Sequence, residues 1–159
     1  MNAHDFEFPG IEGETIYLGA YAGRVILLVN TASACDTTPQ YAGLQTLHER
    51  YGSRGLTVLA VPSNDFGQQE PDDNDTIRRF CETRYGVTFL LAAKQKVAPP
   101  GEHPFYARIR EEIGEAAQPE WNFHKYLIGV DGELLQVWDS RTWPTSGEIT
   151  GEIEAALPD

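Results

Sequence analysis

Cysteine is scarce in this 159-residue chain: only Cys35 and Cys81 occur, 46 positions apart and neither in a CxxC pair. That excludes a disulfide-stapled scaffold and favours a redox or structural thiol in a reducing compartment. Long apolar runs are missing, since no stretch approaches the ~18 residues of a transmembrane helix. Met1-Asn2-Ala3-His4-Asp5 lacks the basic and apolar regions of a signal peptide. Basic residues are few, 12 against 24 acidic ones, giving a formal net charge of −12 with only Arg78-Arg79 adjacent. Nucleic acid and anionic membrane surfaces are poor partners for such a chain. Internal repeats and low-complexity tracts are absent as well. The expectation is a soluble, cytoplasmic protein with no nucleic-acid partner and no membrane insertion. What is present is globular in character: 41% apolar residues with three Trp, seven Tyr and seven Phe. One domain spanning 1–159 is long enough to bury roughly two-thirds of its unfolded surface.

The chain is organised around Asn30-Thr31-Ala32-Ser33-Ala34-Cys35-Asp36-Thr37-Thr38-Pro39-Gln40-Tyr41. Upstream, Val25-Ile26-Leu27-Leu28-Val29 is an unbroken apolar run bounded by Gly23 and Asn30, as expected of a strand buried on both faces. Downstream, Thr38 is a candidate N-cap, Pro39 suits a first helical position, and Tyr41, Leu44, Leu47 and Tyr51 form an apolar face. A helix is therefore expected over 39–51. Gly52-Ser53-Arg54-Gly55 breaks it, and Leu56-Thr57-Val58-Leu59-Ala60-Val61 reads as a second buried strand ending at Pro62. Strand, helix and strand make a βαβ unit of an α/β fold, with parallel strands and a right-handed crossover. Cys35 then lies between a strand's carboxyl end and a helix N-terminus, where the helix dipole favours the nucleophilic thiolate. A small buried apolar cysteine is the alternative.

In open α/β sheets, sites form outside the carboxyl ends of parallel strands. The Cys35 loop should thus share its edge with Ser63-Asn64-Asp65-Phe66-Gly67-Gln68-Gln69-Glu70-Pro71, from which Gln69 and Asn64 could reach the thiol. Asp72-Asp73-Asn74-Asp75 precedes an amphipathic helix through Ile77, Phe80, Cys81 and Tyr85, and acidic residues suit a helix N-terminus. The glycine and later glutamate of a calcium loop are missing there. Cys81 falls on the apolar stripe and is expected in the core. An N-terminal hairpin is expected from 6–8 and 14–18, a short strand over 87–91, and a helix from His103 to about Glu115 with His103 capping or at the surface. Asp131-Gly132 should turn a hairpin between 123–128 and 133–138, and 148–157 should close the chain as a helix. If the first strand of that hairpin is antiparallel to the βαβ strands, Trp121 and Asn122 face Cys35 and Gln69. His124 is expected half exposed.

One thiol, two side-chain amides and an indole N–H contain no strong base, no metal set and no phosphate-cradling loop, so no cofactor is called for. A Cys/His acyl-transfer pair would want a histidine in these loops, and neither has one. Neutral donors suit a thiolate instead. Two hydrogen bonds to a charged group, together worth about 3 kcal/mol, would lower a thiol pKa near 8.5 by roughly two. An ionised, accessible cysteine is oxidised by peroxides to sulfenic acid, which a second thiol converts to a disulfide, and Cys81 is the one candidate within the chain.

These residues resemble a known family. Asn30 to Cys35 with Thr38-Pro39-Gln40-Tyr41, then Asn64 and Phe66 to Pro71, then Tyr85-Gly86-Val87-Thr88-Phe89, then Trp121-Asn122-Phe123 are similar to the motifs of the glutathione peroxidases, in order and spacing, over nearly the whole chain. The resemblance implies a thioredoxin-like fold, a central mixed sheet flanked by helices, and reduction of hydrogen peroxide and organic or lipid hydroperoxides. It implies that Cys35 is the peroxidatic residue of a catalytic tetrad with Gln69, Trp121 and Asn122. It further implies that Cys81 resolves the sulfenic acid as a Cys35–Cys81 disulfide, recycled by thioredoxin (or glutathione). A peroxide sensor that relays its disulfide to a partner protein is the alternative. The short connection from Ala117 to Glu120 resembles members that lack a tetramer-assembly loop, so a monomer is expected, or else a dimer. The chain departs from the usual pattern at Asp36, Ser63, Asp65 and Leu90. Asp36 carries a charge that opposes thiolate formation by ~1 kcal/mol at 4 Å in water-like surroundings.

Overall fold

The computed structural model describes residues 1–159. Strands β3 (Val25–Thr31) and β4 (Leu56–Pro62) are parallel and joined by helix α1 (Gln40–Tyr51), as the βαβ pattern requires. All seven residues of each strand are buried, which is why neither shows polar alternation. They form the middle of a five-stranded mixed sheet of order β5-β4-β3-β6-β7. Here β5 is Leu90–Leu91, parallel to β4, and the hairpin β6 (Lys125–Ile128) and β7 (Leu134–Trp138) runs antiparallel beside β3. Strands β1 (Glu7–Pro9) and β2 (Thr15–Tyr17) form the separate N-terminal hairpin.

The two-residue period of β3 divides the core between the faces of the sheet. Val25, Leu27 and Val29 pack with Tyr41, Leu44, Leu47 and Tyr51 of α1, with Ile77 and Cys81 of α2 (Asn74–Tyr85), and with Ile149 and Ile153 of α4 (Gly147–Ala156). Ile26 and Leu28 pack on the opposite face with Phe8, Ile16 and the Phe105, Tyr106 and Ile109 stripe of α3 (Pro104–Glu112). Each such aliphatic side chain contributes roughly 1.5–3 kcal/mol of burial.

Several boundaries differ from the sequence expectation, each for a local reason. Thr38 does not cap α1: Pro39 stands at the cap position without a side-chain bond, and the Thr38 hydroxyl is taken by the Cys35 N–H and the Ala32 carbonyl. The strand expected over 87–91 shrinks to Leu90–Leu91, because the Val87 and Thr88 N–H groups donate to the Cys81 carbonyl and the Gln45 side chain rather than to a strand. The strand expected from 123 starts at Lys125, since Phe123 adopts a left-handed conformation with φ 66°. Helix α3 ends at Glu112, short of the expected 115. His103 caps it, with Nδ1 accepting from the Phe105 N–H at 3.1 Å and the ring stacked on Phe8. At the start of α2, Asp73 accepts from the Thr76 N–H at 2.9 Å, the N-terminal role expected of the acidic run.

Candidate active site

The carboxyl ends of β3 and β4 carry two loops that are bonded to each other. The Ala34 N–H donates to the Gln69 carbonyl at 3.0 Å, and the Ser63 N–H donates to the Thr31 carbonyl at 3.0 Å. Asp65 anchors the second loop by accepting from the Val97 and Ala98 N–H groups at 2.7 and 2.9 Å and from the Lys96 ammonium at 3.2 Å. Asn64 does not turn toward Cys35: its side-chain oxygen accepts from the Glu70 N–H at 2.9 Å and holds the loop closed. Gly67 and Gln68 are both left-handed, with φ 68° and 52°, and a Cβ on Gly67 would come within 2.9 Å of the Trp121 ring. The reversal thus lets the loop lie directly against the indole, with Phe66 beside it.

Cys35 is partly exposed at this edge. Its sulfur lies 3.0 Å from the Thr37 hydroxyl and accepts from the Thr37 N–H at 3.5 Å. Burial pushes the thiol up, but the Thr37 hydroxyl and N–H, then the Asn122 amide and the Trp121 indole, outweigh it and hold its pKa below the ordinary value. Asp36 is exposed and is not among these dominant influences. Asn122 is fully buried, and its Nδ2 donates to Gln69 Oε1 at 2.9 Å and toward the Phe66 carbonyl at 3.4 Å. Trp121, at 38% exposure, forms the rim. Cys35, Gln69, Trp121 and Asn122 are therefore gathered at one place, with Gln69 braced against Asn122 rather than aimed at the sulfur.

Cys81 is held apart. It is fully buried on α2, and burial first of all pushes its thiol up to about 11, against the influence of Tyr41. Both cysteines are free thiols. His124 is buried at 3% exposure, correcting the half-exposed expectation, because its ring lies 5.1 Å from that of Tyr126, a core residue of the face that α3 covers. Burial and the neighbouring Lys125 push it down to about 4.

Three residues of this neighbourhood carried no role in the sequence. Thr37 was legible in principle, because a hydroxyl two positions from a cysteine can bond it locally. Glu70, fully buried, accepts from the Ser33 hydroxyl at 2.9 Å and is pushed up to about 7 by burial. Lys125 is also fully buried. Only the tertiary structure seals these two from solvent.

A glutathione peroxidase family model matches residues 3–110. The hydroperoxy fatty acid reductase gpx1 of Synechocystis sp. is 41% identical, over 97% of this chain and 95% of that protein. The thioredoxin/glutathione peroxidase BtuE of Escherichia coli is 34% identical, over 92% of each. A thioredoxin-family thiol:disulfide interchange protein from Chlorobium tepidum superposes with a TM-score of 0.70 over 96% of this chain and 93% of its own at 13% identity, which establishes the thioredoxin-like fold alone. With a cysteine set among neutral donors at the edge of that fold, and with relatives matched along nearly its full length, the chain belongs to the glutathione peroxidase family of peroxidase enzymes.

Proposed function

We propose that this enzyme reduces hydroperoxides through Cys35. The observation that carries the reading is the partly exposed Cys35 sulfur beside the Thr37, Asn122 and Trp121 donors, which together favour its thiolate. The thiolate attacks the terminal peroxide oxygen. The O–O bond breaks, the remaining oxygen leaves as alcohol or water after taking the proton given up by the thiol, and Cys35 becomes a sulfenic acid. The same donors then face the departing oxygen. The Cys81 thiol attacks the oxidised sulfur, an S–S bond replaces S–O, and hydroxide leaves as water with the Cys81 proton. A dithiol such as thioredoxin, or glutathione, returns both thiols.

The apolar rim of Trp121 and Phe66 suits organic and lipid hydroperoxides as well as hydrogen peroxide. No helix is long and apolar enough to cross a membrane, and the reductants belong to the cytoplasm, where the enzyme works as a monomer of one domain. A second reading is favoured by the burial of Cys81. Its helix must unwind locally before it reaches Cys35, so the sulfenic acid persists long enough for a partner's thiol to intercept it, as in a peroxide sensor or relay. Intact mass after one equivalent of peroxide tests both. Loss of two hydrogens means the internal disulfide; gain of one oxygen means a persistent sulfenic acid; an unmodified chain overturns the reading of Cys35.

A further inference from the structure

Lys125 carries a fully buried amine that the reaction above does not use, and burial pushes its pKa down to about 7. Its Nζ donates to the Phe123 carbonyl at 2.6 Å and weakly toward the Asp139 carbonyl at 3.4 Å, with no carboxylate oxygen against it. The Asp139 carboxylate is taken by Arg141. Burying an ammonium without an anion is unfavourable, and an aliphatic side chain of similar length would fill the space without that cost. The compensating feature is the carbonyl it grips. Phe123 is a bulky residue with φ 66°, in the left-handed region that such residues rarely adopt unless the surroundings impose it. Its N–H donates to the Asn30 carbonyl at 2.6 Å, and Asn30 Nδ2 donates to the Trp121 carbonyl at 3.0 Å. The kink is thus clamped at Trp121 and Phe123, from β3 by Asn30 and from within β6 by Lys125. Phe123 enters the core against Tyr41, while Asn122 is turned to the Gln69 carboxamide and the Cys35 sulfur.

We propose that Lys125 is a positioning residue for peroxide reduction: by holding the Phe123 carbonyl it locks the left-handed kink that aims the Asn122 amide and Trp121 indole at Cys35. This rests on Cys35 being the reacting thiol. Without the Lys125 donor, Phe123 relaxes toward an ordinary strand conformation and the two donors swing away from the sulfur, although neither has been altered. Displacements of about 1 Å from a group outside the chemistry can cost on the order of a hundredfold in rate.

The test is Lys125→Met, followed by the pH profile of Cys35 alkylation in a Cys81→Ser background, where no other thiol reports. The apparent pKa of Cys35 should rise by about one, alkylation at pH 7 should fall about threefold once the greater nucleophilicity of the more basic thiolate is counted, and the rate with hydrogen peroxide should fall between about tenfold and a hundredfold, with the melting temperature equal or higher. An alkylation profile superimposable on that of the parent, with only the melting temperature lowered, would mean a purely structural lysine and overturn the proposal. Should Lys125→Met not fold, Lys125→Leu, which keeps part of the aliphatic stem and also lacks the donor, is read the same way. Alkylation is measured without peroxide. A parent Cys35 that fails to react with peroxide therefore defeats the reading of the site, whereas an unmoved alkylation profile defeats Lys125.

Discussion

Replacing Thr37 with valine removes a single oxygen next to the reacting sulfur while nearly conserving shape. The hydroxyl lies 3.0 Å from Cys35 Sγ, and the Thr37 N–H, at 3.5 Å, remains in the variant. A hydrogen bond to a charged acceptor is worth about 1.5–3 kcal/mol, and one pKa unit corresponds to about 1.4 kcal/mol. The Cys35 pKa in Thr37→Val should therefore rise by about one to two. The loss of thiolate at pH 7 is offset in part, because a more basic thiolate is intrinsically more nucleophilic, with a Brønsted slope of about 0.5. The second-order rate with hydrogen peroxide should then fall about three- to tenfold at neutral pH and recover at pH values above the new pKa. Thiolate absorbance against pH gives the first quantity and stopped-flow tryptophan fluorescence the second. Thr37→Ser should behave like the parent. A Thr37→Val enzyme with the parent's pKa and rate would refute the reasoning and leave the Asn122 and Trp121 donors as sufficient.

Cys81→Ser should consume one equivalent of peroxide and stop at sulfenic acid, with reductant-driven turnover lost; unchanged turnover in a thioredoxin-coupled assay would remove Cys81 from the cycle. Gly67→Ala should destabilise the fold by about 1–2 kcal/mol in urea titrations, because residue 67 keeps φ 68° and its new methyl meets the Trp121 ring. A slower peroxide reaction should accompany it, and wild-type stability would mean that the loop accommodates the methyl. Glu70 and His124 should pull stability in opposite directions over the same pH window. The Glu70 carboxyl rises from 4.5 to about 7 on folding, so it is a stabilising proton site at low pH whose contribution is lost as pH climbs through that interval, by up to roughly 3 kcal/mol. His124 falls from 6.5 to about 4, so its contribution is complete above 6.5 and is lost on acidification, by a similar amount. Glu70→Gln should gain on the parent as pH rises from 4.5 to 7.5, and His124→Asn should gain as pH falls from 6.5 to 4; urea curves that stay parallel to the parent's at every pH would contradict both assignments.

How much was legible in advance depended on the range of the interaction. The β3-α1-β4 unit could be read because continuous apolar runs and a helical stripe encode burial locally. The Asp131-Gly132 turn declared its hairpin, and the antiparallel pairing of β3 with β6 then brought the two ends of the site together as expected. Thr38 misled because its hydroxyl suits an N-cap in isolation, yet here the Cys35 N–H and the Ala32 carbonyl compete for it. Asn64 misled in the same way, being close enough in sequence to serve the thiol but closing its own loop instead. His124 looked half exposed because strand alternation does not say whether both faces of a sheet are covered, as they are here.

By itself the sequence determined the α/β class, the βαβ unit, the place of Cys35 between a strand and a helix, and the candidates Gln69, Trp121, Asn122 and Cys81, because these follow from local periodicity, turn chemistry and motif spacing. Only the tertiary structure decided that Thr37 is a hydrogen-bond partner of the sulfur, that Gln69 braces Asn122, and that Glu70, His124 and Lys125 are buried. Those outcomes depend on which groups from distant segments compete for the same hydrogen bonds and on which charges lose their water. Neither exists until the chain has closed on itself.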